Sequence, residues 1–218
     1  MTPEMILFII LNLLRADNAQ NLDHPQVHTH LVKVSQAIAT HSTKSVPAVR
    51  LISLAYNESR FGYKHALKGT YPKSSWSACG IYQQVPKYSK ISTTCDKLGT
   101  DVDHATKVAV SYLDYMIDRW SIRGSKNMDT RMCHYYSGNR CDAEARAYSK
   151  RHRKIRLKAV RLKSKARLSV KRSKTTRKVK RTRRKTLKEM TRAEWLYALH
   201  HEEDEARRAE LHLPPNRL

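Results

Sequence analysis

Between Lys150 and Lys188 the chain has no aspartate or glutamate, against 21 lysines and arginines. This excludes a charge-balanced surface for that stretch and concentrates most of the net charge of +24 there. The flanks are ordinary: residues 1–149 hold 18 basic and 12 acidic side chains, and residues 189–218 hold 4 and 7. Strand-like alternation of apolar and polar residues is missing throughout the first 150 residues, so a β-sheet core is excluded and a mainly α fold is expected. No CxxC pair occurs, which argues against a zinc site although His134 follows Cys133. No metal and no cofactor are expected. No apolar run is long enough to span a bilayer, because the longest, Met5 to Leu14, is too short as a helix.

That apolar run has the length of a secretory h-region, but Glu4 precedes it, Arg15 follows it, and Asp17 to Ala19 makes a poor cleavage site. Residues 1–26 are therefore a segment with two open readings, a signal or weak anchor and a helix packed on the domain or on a partner. The four cysteines bear on the same question of compartment. Cys79 with Cys95 and Cys133 with Cys141 are the expected disulfides, since each closes a short loop; four cysteines allow three connectivities, and four buried thiols are the alternative. Disulfides would place the site of action outside a reducing cytoplasm.

Helical periodicity organises the rest. Val27, Leu31, Val34, Ile38 and His41 share a face over Val27 to Thr43, and Ala105, Val108, Ala109, Tyr112, Leu113, Tyr115, Met116 and Ile117 form a stripe over Asp103 to Trp120. A third helix is expected from Cys141 or Asp142 through Tyr148, with Gly69, Gly80, Gly99, Gly124 and Gly138 marking loops. A further helix, Val46 to Phe61, begins near Pro47 and stops at Gly62. Glu58 lies on its apolar face with Leu51, Leu54 and Ala55. A carboxyl there loses water, its pKa rises, and it becomes suited to general acid chemistry. The alternative is a glutamate that snorkels at the helix end or pairs with Arg60.

Some twenty residues on, Gly80-Ile81-Tyr82-Gln83 forms a small-residue turn, and Cys133 to Asn139 reads as an aromatic loop. Amides such as Gln83 bind sugar hydroxyls and N-acetyl groups, and tyrosines such as Tyr82, Tyr135 and Tyr136 pack on sugar faces. In this order Glu58-Ser59 resembles the ES motif, Gly80-Ile81-Tyr82-Gln83 the GLMQ motif and His134-Tyr135-Tyr136-Ser137-Gly138 the AYNxG motif of soluble lytic transglycosylases, relatives of goose-type lysozyme. Tyr136 stands where Asn is usual, and Tyr82 where Met is common. The resemblance covers residues 27–154 and implies a lysozyme-like helical domain that cleaves the β-1,4 bond between N-acetylmuramic acid and N-acetylglucosamine in peptidoglycan. It implies Glu58 as the catalytic residue, with Ser59, Tyr82, Gln83, Tyr135 and Tyr136 around the substrate.

Glycosidases usually need two carboxylates, and only one is well placed here. A lytic transglycosylase needs no second one, because the muramoyl 6-hydroxyl attacks C1 and leaves a 1,6-anhydro end. Hydrolysis is the competing chemistry and would want Asp96, Asp101 or Asp103 near the cleft.

Residues 155–188 form the polycationic segment. Ile155, Ala159, Leu162, Ala166 and Val170 recur at helical spacing, so the closing helix can run on as a long cationic one, while Ser173 to Thr186 loses the stripe and reads as extended or disordered. Thr191 and Glu194 make a capping box that opens a C-terminal helical tail over 189–218. The charge of residues 150–188 points to a polyanionic partner: DNA, anionic lipid or lipopolysaccharide. A wall-cleaving domain with such a tail is similar to the cell-wall enzymes of bacteriophage particles, which implies a phage virion, with other virion proteins as neighbours, or the bacterial periplasm and envelope. A secretion-system transglycosylase and an inactive structural or nucleic-acid-binding virion protein are the rival readings.

Overall fold

The computed structural model describes the backbone of residues 1–75, 77–120, 124–138 and 141–189, and their side chains apart from 124–127 and 169–189. It is mainly α, and no named strand occurs among the described residues; two isolated bridges join Cys79 to Lys73 and Gln84. Residues Met1–Ala166 form one compact unit and Arg167–Leu218 a second.

The first helix, α1 (Pro3–Arg15), starts with Pro3 in its first turn and a Thr2 hydroxyl that accepts from the Met5 amide. Ile6, Ile9, Ile10, Leu13 and Leu14 are all fully buried. In the structure α1 packs into the same core as the helices that follow, within the unit Met1–Ala166. Among the described residues no helix is long and apolar enough to cross a membrane.

Next come α2 (Pro25–His41) and α3 (Ala48–Ser59), then α4 (Tyr63–Leu67), α5 (Cys95–Thr100) and α6 (Val102–Arg119). The faces read from the sequence are the faces that pack: Val27, Leu31, Val34 and Ile38 of α2, and Ala105, Val108, Ala109, Leu113 and Met116 of α6, are buried. Asp101 caps α6 through the His104 amide at 2.9 Å. α2 packs on α1, α4 and α6, with α3 touching α1, α2 and α6. α3 is buried along nearly its whole length, from Ala48 to Tyr56 apart from the half-buried Val49, as expected of a central helix.

Two short helices, α7 (Gly124–Arg131) and α8 (Cys133–Ser137), precede α9 (Ala143–Glu189). The stretch read as an aromatic loop is thus mostly α8, Gly99 lies within α5, and Gly124 opens α7. Asp142 starts α9 by accepting from the Ala145 amide at 2.8 Å. The backbone of α9 continues over Ser173–Thr186, a stretch rich in lysine and arginine, which are good helix formers. Ala159 and Ala166 are buried, and Ile155 and Leu162 are half-buried against the core, so the stripe serves the compact unit, which runs past Lys154 to Ala166. The proposed C-terminal helix from Thr191 lies outside the described residues.

A buried ion cluster ties α3, α7 and α9 together. Arg50 donates to Asp129 Oδ1, and Arg156 reaches the same carboxylate with Nη2 2.6 Å from Oδ2. Burial works against the Asp129 charge, but hydrogen bonds and charge from Arg156 and Arg50 outweigh it and hold the carboxyl below its usual range. Removing one member of such a cluster costs about 3–5 kcal/mol, because a buried charge is left without its partner.

Candidate active site

Glu58 sits in the last turn of α3. The chain leaves this helix through three residues with positive φ, Arg60 at 53°, Phe61 at 60° and Gly62 at 68°. The helix therefore ends at Ser59, before the glycine that was expected to stop it, and buried Phe61 locks the turn against its backbone cost. Arg60 does not pair with Glu58. Its guanidinium meets Asp17 at 3.0 Å and lies 4.1 Å from the centre of the Tyr56 ring.

Glu58 is half-buried, and burial pushes its carboxyl up to about 7; a hydrogen bond from Tyr148 and the charge of Arg151 pull the other way and are outweighed. Glu58 also lies in the C-terminal turn of α3, where the helix dipole disfavours a negative charge. Tyr148, on α9, donates its hydroxyl to Glu58 Oε1. That leaves Oε2 to carry the proton. The Tyr148 ring is stacked on Tyr136 with centroids 5.2 Å apart and lies 6.5 Å from His152. Ser53 Oγ donates to the Arg50 carbonyl and lies 2.9 Å from His152 Nε2, so the proton between them belongs to the imidazole. Burial, together with Arg50 beside it, presses His152 down to about 3. It is a neutral support for the tyrosine.

The turn from Gly80 to Gln83 is fastened to the end of α3, with Ser59 Oγ donating to the Ile81 carbonyl at 2.8 Å. Cys79 and Gln84 exchange backbone hydrogen bonds of 2.9 and 3.0 Å, and the Cys79–Cys95 disulfide pins the turn's entrance. Gly80 has φ 73°, and a Cβ there would fall 2.1 Å from the Leu98 carbonyl oxygen, so only glycine fits. Gln83 folds back with Nε2 on the Gly80 carbonyl at 2.9 Å.

Tyr82 departs from expectation. Its ring is fully buried and its hydroxyl lies 3.3 Å from Thr106, so it packs the core and offers no ring to a sugar. Its carbonyl instead accepts from the Tyr135 hydroxyl at 2.8 Å. Tyr135 packs edge-on against Tyr112, and both line a small cavity of about 80 Å³ with Gln83. Burial and the nearby Glu58 charge hold the Tyr135 hydroxyl well above its ordinary value. Tyr136 is 46% exposed and donates to Glu144 Oε1 at 2.6 Å. A larger groove of about 720 Å³ runs from Val85 along α6 to Tyr135 and Tyr136. Neither lining includes Glu58, which meets them through Tyr148, Tyr136 and the electrostatic reach of Tyr135.

Both expected disulfides are present, Cys79–Cys95 and Cys133–Cys141. The donor atoms of Cys133, His134 and Cys141 lie within 4.8 Å of one another, but the two sulfurs are bonded to each other and offer no thiolate to a metal. Asp101 is the α6 cap, and Asp103 holds His41 at 2.9 Å; both line a separate cavity of about 700 Å³ beside α2.

The chain matches no family model, no curated protein and no solved structure. What the site can do chemically rests on its own geometry: a carboxyl about half protonated at neutral pH, fixed by a buried tyrosine, beside a turn and a tyrosine-lined groove. Sequence reasoning missed Tyr148, Arg151 and His152. They lie in or next to a helix whose existence was expected, yet no spacing signal links them to a glutamate some ninety positions earlier.

Proposed function

We propose that this protein cleaves peptidoglycan as a lytic transglycosylase, with Glu58 as both acid and base. The observation that carries this reading is a single carboxyl raised to about 7 and held by Tyr148. Protonated Glu58 gives its proton to the glycosidic oxygen as the bond to C1 breaks. The resulting carboxylate takes the proton of the muramoyl 6-hydroxyl, whose oxygen bonds to C1 and closes the 1,6-anhydro ring. No water is consumed, and Glu58 ends protonated again. Of the three aspartates that hydrolysis would want to position water, Asp101 and Asp103 are engaged elsewhere and Asp96 sits in the first turn of α5, which favours this route.

The site of action fitting two disulfides is a phage particle or the bacterial cell envelope. Residues 150–188 would hold the enzyme to DNA, anionic lipid or lipopolysaccharide, since 21 cations without an anion attract any polyanion. Glu58→Gln keeps the shape and removes the transferable proton; activity against sacculi in a zymogram is expected to fall by about 10²–10⁴-fold with the fold intact. Turnover near that of the unaltered protein would remove Glu58 from the mechanism.

A further inference from the structure

The groove of about 720 Å³ combines rings with cations. Tyr88, Tyr112, Tyr115, Trp120, Tyr135 and Tyr136 line it, as do Lys87, Lys90 and Arg119, and among the described residues its lining includes no aspartate or glutamate. The cations rest on the rings: Lys90 Nζ is 3.8 Å from the Tyr115 centroid, Lys87 5.1 Å from Tyr88, and Arg119 6.0 and 5.6 Å from Tyr115 and Trp120. Among the described residues no carboxylate pairs with any of the three. Three positive charges thus line a groove that reaches the tyrosines around Glu58, and among the described residues none of them has a carboxylate partner.

Resting on the reading of this protein as a peptidoglycan-cleaving enzyme, we propose that the groove takes the peptide-bearing form of the glycan strand, with Lys87, Lys90 and Arg119 binding the free carboxylates of the peptide substituents. Single-stranded nucleic acid also uses rings and cations, but it needs free ring faces on which bases stack. Here three of the rings already have one face covered. Lys90 covers Tyr115, His134 stacks on Trp120 with centroids 4.3 Å apart, and Tyr136 stacks on Tyr148. The rings hold the cations in place, which prepares them for charge-assisted hydrogen bonds to carboxylates. The preference this creates is for peptide-substituted over neutral glycan.

The test uses the full chain carrying Glu58→Gln, so that ligands survive, and three probes: a peptide-bearing muramoyl tetrasaccharide, the same compound with its carboxylates converted to amides, and a dT12 oligonucleotide. The amidated glycan is expected to bind about tenfold more weakly than the free acid, as loss of one or two charge-assisted contacts implies. Adding Lys87→Gln, Lys90→Gln and Arg119→Gln should abolish that difference, while Lys87→Arg with Lys90→Arg should keep it and so show that the folded groove is intact. The basic tail is the same in every variant, so its attraction cancels when the free-acid-to-amide ratio is compared between variants. Equal binding of both glycans, with sacculi still cleaved by the unaltered protein, overturns the inference and leaves the proposed function standing. Absence of glycan binding together with uncut sacculi overturns both. A larger effect of the Gln variants on dT12 than on the free-acid glycan overturns the carboxylate assignment in favour of nucleic acid.

Discussion

Glu58 and Tyr148 form the pair on which the proposed chemistry turns, and their coupling has a defined sign. The Tyr148 hydroxyl stabilises the carboxylate, so it lowers a pKa that burial has raised to about 7. Activity that needs protonated Glu58 should fall as pH rises through that value. In Tyr148→Phe the stabilising hydrogen bond is gone, Glu58 keeps its proton to higher pH, and the alkaline limb of the pH–rate profile should move up by roughly one pH unit. A limb that stays in place or moves down would separate Tyr148 from Glu58. At this scale the sequence was half legible. Glu58 was visible because an acidic residue broke an apolar stripe, whereas Tyr148 was not, because contacts between distant helices leave no local pattern. Tyr82 shows the reverse: a tyrosine in a motif suggests a sugar contact, but the positive φ at Gly80 and Gln83 turns the chain so that its ring enters the core.

Among the elements, α1 is the instructive one. Its sequence is apolar at nine of ten positions from Met5 to Leu14, which gives no single polar face and so leaves both a packed helix and a signal-like segment readable. The structure buries five of those side chains completely. Leu13→Ala should therefore destabilise the compact unit by about 2–5 kcal/mol in urea unfolding, as core truncations do; a change near zero would mean that α1 leaves the core in solution. Periodic stripes gave α2, α3 and α6 nearly their observed limits, because such stripes are read from neighbours one turn away. α7 and α8 were missed for the opposite reason. Asp129 holds α7 to Arg50 and Arg156, and the Cys133–Cys141 disulfide closes α8 onto the start of α9, so their placement depends on distant partners.

For the whole molecule, the charge divides from the chemistry. The compact unit ends at Ala166, inside the basic stretch, since the first part of α9 lends its apolar stripe to the core. A chain cut after Ala166 should keep the fold and the cleavage of short soluble glycans, with Glu58 and Tyr148 both retained. Its affinity for duplex DNA and anionic vesicles should depend on salt with a markedly shallower slope than that of the full chain, because fewer counterions are released. Equal slopes would assign residues 167–218 to some purpose other than polyanion binding.

The central claim is that one carboxyl, without a second carboxylate and without water, breaks the glycan strand. Mass spectrometry of the muropeptides released from purified sacculi tests it most directly. The account predicts 1,6-anhydromuramoyl ends, lighter than reducing ends by one water, roughly 18 mass units, because the intramolecular attack replaces hydrolysis. Products with predominantly reducing ends would contradict it and require a second group that positions water at Glu58.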